Sequence, residues 1–184
     1  QKTIINILKK DFKNAEKEIQ QSIRIGEEAN YGYLLIPSYN IQSYIMIVYK
    51  QMNSAQALLK KSLEYANAFS NSKALISIYN NLGTMYIAMG EYQEAYSRYL
   101  VGFEILKKIC KPQNSFRYMG LLSNIVKLSI FLEKPETLSK IIDNYASDIL
   151  KKYQDKCQKT YDAKENLTPF SYGVLSFDGY DYLY

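Results

Sequence analysis

Sorted into small, large apolar and polar positions, the chain repeats itself every 40 residues, with Ala15, Ala55 and Ala95 marking the period. Three residues before each alanine stands a large apolar side chain: Phe12, Met52 and Tyr92. Four after each stands another: Ile19, Leu59 and Tyr99. Twelve before each stands a smaller one: Thr3, Ser43 and Gly83. Offsets of three and four place side chains on one face of a helix, and self-similarity at a period of a few tens of residues marks a repeated supersecondary unit.

Each period predicts a helical hairpin. Two antiparallel helices approach closely where small residues face each other, here Gly83 opposite Ala95 and Ser43 opposite Ala55. Large side chains one turn away, Tyr92 and Tyr99, then fill the space between pairs. Gly90 lies just past one helix, where a left-handed cap is cheap for glycine. Glu91 opens the next helix near the positive end of its dipole. Such a hairpin cannot bury its apolar face alone, so the units must stack.

A fourth unit is looser. Leu122, Ile125, Val126 and Ser129 make one stripe, and Pro135 suits the first turn of a helix continued by Leu138, Ile142 and Tyr145. Val126 and Leu138 replace the small pair there, so this hairpin is expected to splay. The chain opens on Gln1 with the first unit's leading helix cut short, as expected of a piece of something longer.

Residues 80 to 99, NNLGTMYIAMGEYQEAYSRY, carry a family pattern. Tyr79, Leu82, Gly83, Tyr86, Gly90, Tyr92, Ala95 and Tyr99 resemble the tetratricopeptide repeat in type and spacing. Tyr79 stands where that motif opens on Trp. Gly102 takes the small position late in the second helix, and Lys107 replaces the closing Pro. The full motif occurs once, over residues 76–109; the other units keep the packing columns only. The resemblance covers residues 1 to about 152, in a long-helix variety. It implies an all-α, right-handed α-solenoid of about four stacked helical hairpins. Residues 153–166 are polar and are expected to form a capping helix.

The last eighteen residues differ in kind. FSYGVLSF and YDYLY flank Asp178-Gly179, which predicts a non-helical aromatic tail or β-hairpin over residues 167–184. It is expected to cap the stack or begin a following domain, with docking on the repeats of its own or a second chain as the alternative. The Asn166 sequon is followed by Pro169 and is read as chance.

Composition narrows the function. Hydrophobic residues are 47% and charged residues 22%, as in a folded globular chain. The uncharged stretch Tyr31 to Tyr49 contains Pro37, Ser38, Asn40, Gln42 and Ser43, too polar for a membrane span. There is no histidine, which removes Ser-His-Asp and Cys-His chemistry and His-ligated metals from this segment. Without a Gly-rich phosphate loop or a Cys-x-x-Cys pair as well, no enzyme activity, cofactor or metal is expected. Cys110 and Cys157 are read as free thiols in a reducing, cytoplasmic setting, a disulfide between them being the alternative.

Net charge is +5. Lys107, Lys108, Lys111 and Arg117 form one basic group, and Lys151, Lys152, Lys156 and Lys159 another. Both are read as partners of helix C-termini. Nucleic-acid binding is not expected, because no aromatic residues interleave with these lysines.

The resemblance implies a scaffold that binds a protein or an extended peptide along a concave face lined by the first helix of each hairpin. Candidate contacts are Tyr44, Ile47 and Val48 in the second unit, Asn81, Thr84 and Ala88 in the third, and Asn124, Lys127 and Phe131 in the fourth. Asn81 and Asn124 occupy equivalent places, and an amide that both donates and accepts can hold a peptide backbone. A ligand-sensing domain of a bacterial signalling or transcriptional regulator is the alternative, and self-association through the tail is a further expectation.

Overall fold

The computed structural model describes residues 2–109, 118–136 and 139. Its regular elements are all α-helices: α1 (Lys2–Leu8), α2 (Phe12–Glu28), α3 (Gly32–Val48), α4 (Met52–Ala68), α5 (Ser72–Met89), α6 (Tyr92–Ile109) and α7 (Met119–Phe131). Five of them start 20 residues apart, at Phe12, Gly32, Met52, Ser72 and Tyr92. The 40-residue period is therefore two turns of a 20-residue helix-and-corner unit.

The corners share one construction. Lys10, Asn30, Lys50, Ser70 and Gly90 sit in left-handed backbone, with φ between 49° and 79°. At Lys50, the N–H donates to the Ile47 carbonyl at 3.0 Å, and the next N–H, of Gln51, reaches the Met46 carbonyl at 2.9 Å. The other corners repeat both bonds, and so does Glu133 after α7. This pair satisfies carbonyls that a helix end leaves open. The left-handed cap expected at Gly90 is thus present, and the same cap is made by residues that carry a side chain at a cost of about 1–2 kcal/mol each. Pro135 and Glu136 are helical, as the spacing after the fourth stripe requires.

Consecutive helices pack against each other, most extensively α3 with α4 and α5 with α6, the pairs framed by the sequence period. In addition α3 touches α5, and α5 touches α7, so the first helices of successive hairpins lie side by side. Ala15, Ala55 and Ala95 have no accessible surface, and Ile19, Leu59 and Tyr99 are buried. Of three apolar clusters among the described residues, the two larger ones meet at α5. One takes Ala74, Ile78 and Met85 from that helix, and the other takes Ile76.

One packing detail differs from expectation. The group over Gly83 is the Tyr99 ring, not Ala95: a Cβ built on Gly83 would lie 2.3 Å from Tyr99 Cε1 and 2.5 Å from Cδ1. Long helical side chains lean back toward the N-terminus of their helix, so Tyr99 lies back over the turn that contains Ala95. The gap left by the missing Cβ is filled by a ring.

Lys107 and Lys108 occupy the last turn of α6, where positive charge complements the dipole. No helix among the described residues is long and apolar enough to cross a membrane. Most of the expected second helix of the fourth hairpin, the segment 153–166 and the tail 167–184 lie outside the described residues, as do Cys110, Cys157, Lys111 and Arg117.

Candidate functional site

Where α3, α5 and α7 run side by side, a row of buried amides crosses from one helix to the next. Asn40 lies in α3, Asn80 and Asn81 in α5, and Asn124 in α7, and all four are buried. Asn81 Nδ2 donates to Asn40 Oδ1 at 3.0 Å and to the Asn40 carbonyl at 3.3 Å. Asn124 Nδ2 donates to Asn80 Oδ1, also at 3.0 Å. The same rung is made twice, each time from a first helix back to the one before it. Inside a low-dielectric interior such a bond is worth keeping, because losing one partner strands the other.

The first rung is extended by Asn40 Nδ2, which donates to Ser77 Oγ at 3.1 Å. Aligned through Asn81 and Asn124, the position equivalent to Ser77 is Gly120, which has no hydroxyl to offer. The second rung therefore ends at Asn80.

Two predicted peptide contacts, Asn81 and Asn124, thus point into the interior and commit an amide hydrogen to a neighbouring helix. They do not bond each other; each is joined to a different asparagine. Ile47 belongs to the buried core. Tyr44 is half-buried and meets Phe12 edge-on, with centroids 6.3 Å apart, and burial raises the pKa of its hydroxyl. Thr84 donates to the Asn80 carbonyl at 3.0 Å, so the Tyr99 hydroxyl 3.2 Å away is the donor into Thr84. Burial holds the Tyr99 pKa above the usual phenol value, opposed only in part by the Thr84 hydroxyl, which can turn to donate to the phenolate. Lys127 is half-buried, and Val48, Ala88 and Phe131 are exposed, the last with its ring 4.9 Å from that of Tyr92.

Asn40 and Asn80 were the residues that pattern reasoning passed over. Their signal was available: they are 40 apart, like the alanines. A polar residue between apolar ones in a helix is read by default as solvent-facing, and here it faces another first helix.

Elsewhere, a cleft of about 460 Å³ lies between α4, α5 and α6. Asn53, Gln56 and Lys60 come from α4 at offsets of three and four, which places them on one stripe. Leu59, Leu63 and Leu82 give it an apolar floor. Tyr79 and Tyr86 enter from α5, and Arg98 from α6 closes the far side. The Arg98 guanidinium sits over the Tyr86 ring, 5.7 Å from its centroid, and donates to Glu94 Oε2 at 3.2 Å. No carboxylate lines the cleft. Nor, among the described residues, do three or more Cys, Asp or Glu side chains gather as a metal site.

In comparisons with known proteins, no family model matches this sequence and no curated protein is detectably similar to it.

Proposed function

We propose that this chain is a protein- or peptide-binding module: a right-handed solenoid of hairpins of the tetratricopeptide kind, cytoplasmic, acting without a cofactor on an extended peptide segment. The observation that carries the proposal is the side-by-side row of α3, α5 and α7, tied by equivalent asparagine rungs. A row of first helices tied side by side offers a surface longer than any one hairpin. On that row Tyr44, Thr84 and Lys127 are partly accessible and Phe131 is exposed at 56%. In this scheme Asn81, Asn124 and Ile47 set the geometry of the surface, and the more accessible side chains meet the partner.

The test is a random peptide display library panned against the folded chain, with selected peptides then titrated by calorimetry. Peptides that bind one to one, and that lose about fivefold or more in affinity on Phe131→Ala, are the expected result, since an exposed aromatic anchor typically carries a disproportionate share of binding. A chain that keeps its helical spectrum and enriches no peptide would remove the proposal.

A further inference from the structure

The cleft between α4, α5 and α6 has a chemistry of its own. Its ionisable side chains other than tyrosine are both cationic, Lys60 and Arg98. Lys60 is exposed and forms no ion pair with any described residue. Arg98 gives one donor to Glu94, and its guanidinium lies over the Tyr86 ring at cation–π distance. Its other N–H groups make no hydrogen bond with a described residue. The hydroxyls of Tyr79 and Tyr86 likewise make no hydrogen bond among the described residues. Asn53 and Gln56 add amides that both donate and accept. Donors therefore dominate the walls, and leucines make the floor.

Shape restricts the occupant further. The α4 stripe runs from Asn53 to Leu63, ten residues at about 1.5 Å each, or roughly 15 Å. An extended chain advances about 3.3 Å per residue, so the cleft accommodates about four or five residues. Carboxylates suit the cationic rim, and an aromatic or leucine side chain between them suits the floor.

We propose that this cleft is a binding site for a short extended segment of a partner protein carrying Asp or Glu beside an aromatic or aliphatic residue. The site is distinct from the row formed by α3, α5 and α7. The inference rests on the peptide-binding reading above, but it places a second, charge-selective contact on the side formed by α4 and α6. Lys60 is the attracting charge, and Arg98 is the planar donor that fixes the carboxylate.

The test uses the full chain and the fluorescein-labelled hexapeptide Gly-Asp-Tyr-Asp-Leu-Gly, followed by fluorescence anisotropy. Two counterparts replace both Asp by Asn or by Lys. The acidic peptide should bind at least about tenfold more tightly than the Asn form, a charge-assisted bond being about twice as strong as a neutral one. Added salt should weaken it. Lys60→Glu, at an exposed position, should lower affinity for the acidic peptide about tenfold and raise affinity for the Lys form above its wild-type value. Arg98→Gln should weaken the acidic peptide without any gain for the Lys form. Equal binding of the acidic and Asn peptides, or indifference to Lys60→Glu, overturns the inference. If library peptides still bind in that case, the peptide-binding reading stands; if none binds, both fall.

Discussion

Gly83→Ala sets two effects of opposite sign against each other. In an exposed helix interior, replacing Gly by Ala stabilises by about 1 kcal/mol. Here the new Cβ would stand 2.3, 2.5 and 2.7 Å from three atoms of the Tyr99 ring, where ordinary contact begins near 3.4 Å. The ring would have to retreat by roughly 1 Å. It is 2% exposed, and its hydroxyl is tied to Thr84, so it has little space to retreat into. Overpacking of a filled core costs about 1–3 kcal/mol, and losing the hydroxyl bond adds about 1 kcal/mol. Subtracting the propensity gain leaves a net loss of about 2 kcal/mol. For a chain of this size that is a fall in Tm of about 4–8 °C, measurable by circular dichroism at 222 nm. A second background makes the sign decisive. With Tyr99→Ala the ring is gone, so adding Gly83→Ala should then stabilise by about 1 kcal/mol. An alanine that stabilises the wild-type chain, or destabilises both backgrounds equally, would refute the packing argument.

Three further outcomes are expected. Lys50→Gly should raise the urea midpoint by about 0.5–1 kcal/mol equivalent, because a left-handed corner penalises the side chain by more than glycine costs in entropy; Gly90→Ala, with open space around it but φ at 79°, should lower the midpoint by about 1 kcal/mol. Asn81→Ala should cost about 1–3 kcal/mol by stranding Asn40 Oδ1, and the Asn40→Ala, Asn81→Ala double variant should cost less than the sum of the single ones. Alkaline stability should fall as pH rises above about 10. Burial, then a bond from the Tyr39 hydroxyl to Glu27, raises the Tyr39 pKa, and burial raises that of Tyr99, so the folded state favours the protonated forms. Their contribution is complete below the ordinary phenol value and is lost above it; Tyr39→Phe and Tyr99→Phe should each flatten the decline, followed as urea midpoints from pH 8 to 11.

The seam was legible because it is written in residue size. Ala15, Ala55 and Ala95 hold identical offsets, and a small side chain without accessible surface marks a close approach of two helices. The corners were only partly legible. Gly90 announces a left-handed backbone, whereas Lys10, Lys50 and Ser70 adopt it because two hydrogen bonds hold them there, and nothing in a lysine advertises that. The surface suffered most. Ile47, Asn81 and Asn124 were placed on an open face by treating each hairpin alone, and contact of α3 with α5 and of α5 with α7 turns much of that face inward. The cleft had no sequence signal, since its walls come from three helices and its chemistry arises only when Lys60 and Arg98 are brought together.

The corners and the asparagine rungs keep different time along the chain, and this restricts how such an array can grow. Corners recur every 20 residues, so inserting or deleting one helix would leave the alternation of helix and turn intact. Rungs recur only between alternate helices, each running from a donor on the later unit to an acceptor on the earlier one. Adding a single helix would carry every following asparagine to the other layer, opposite apolar partners. Lengthening by gene duplication is therefore compatible with this interior only in whole pairs of helices.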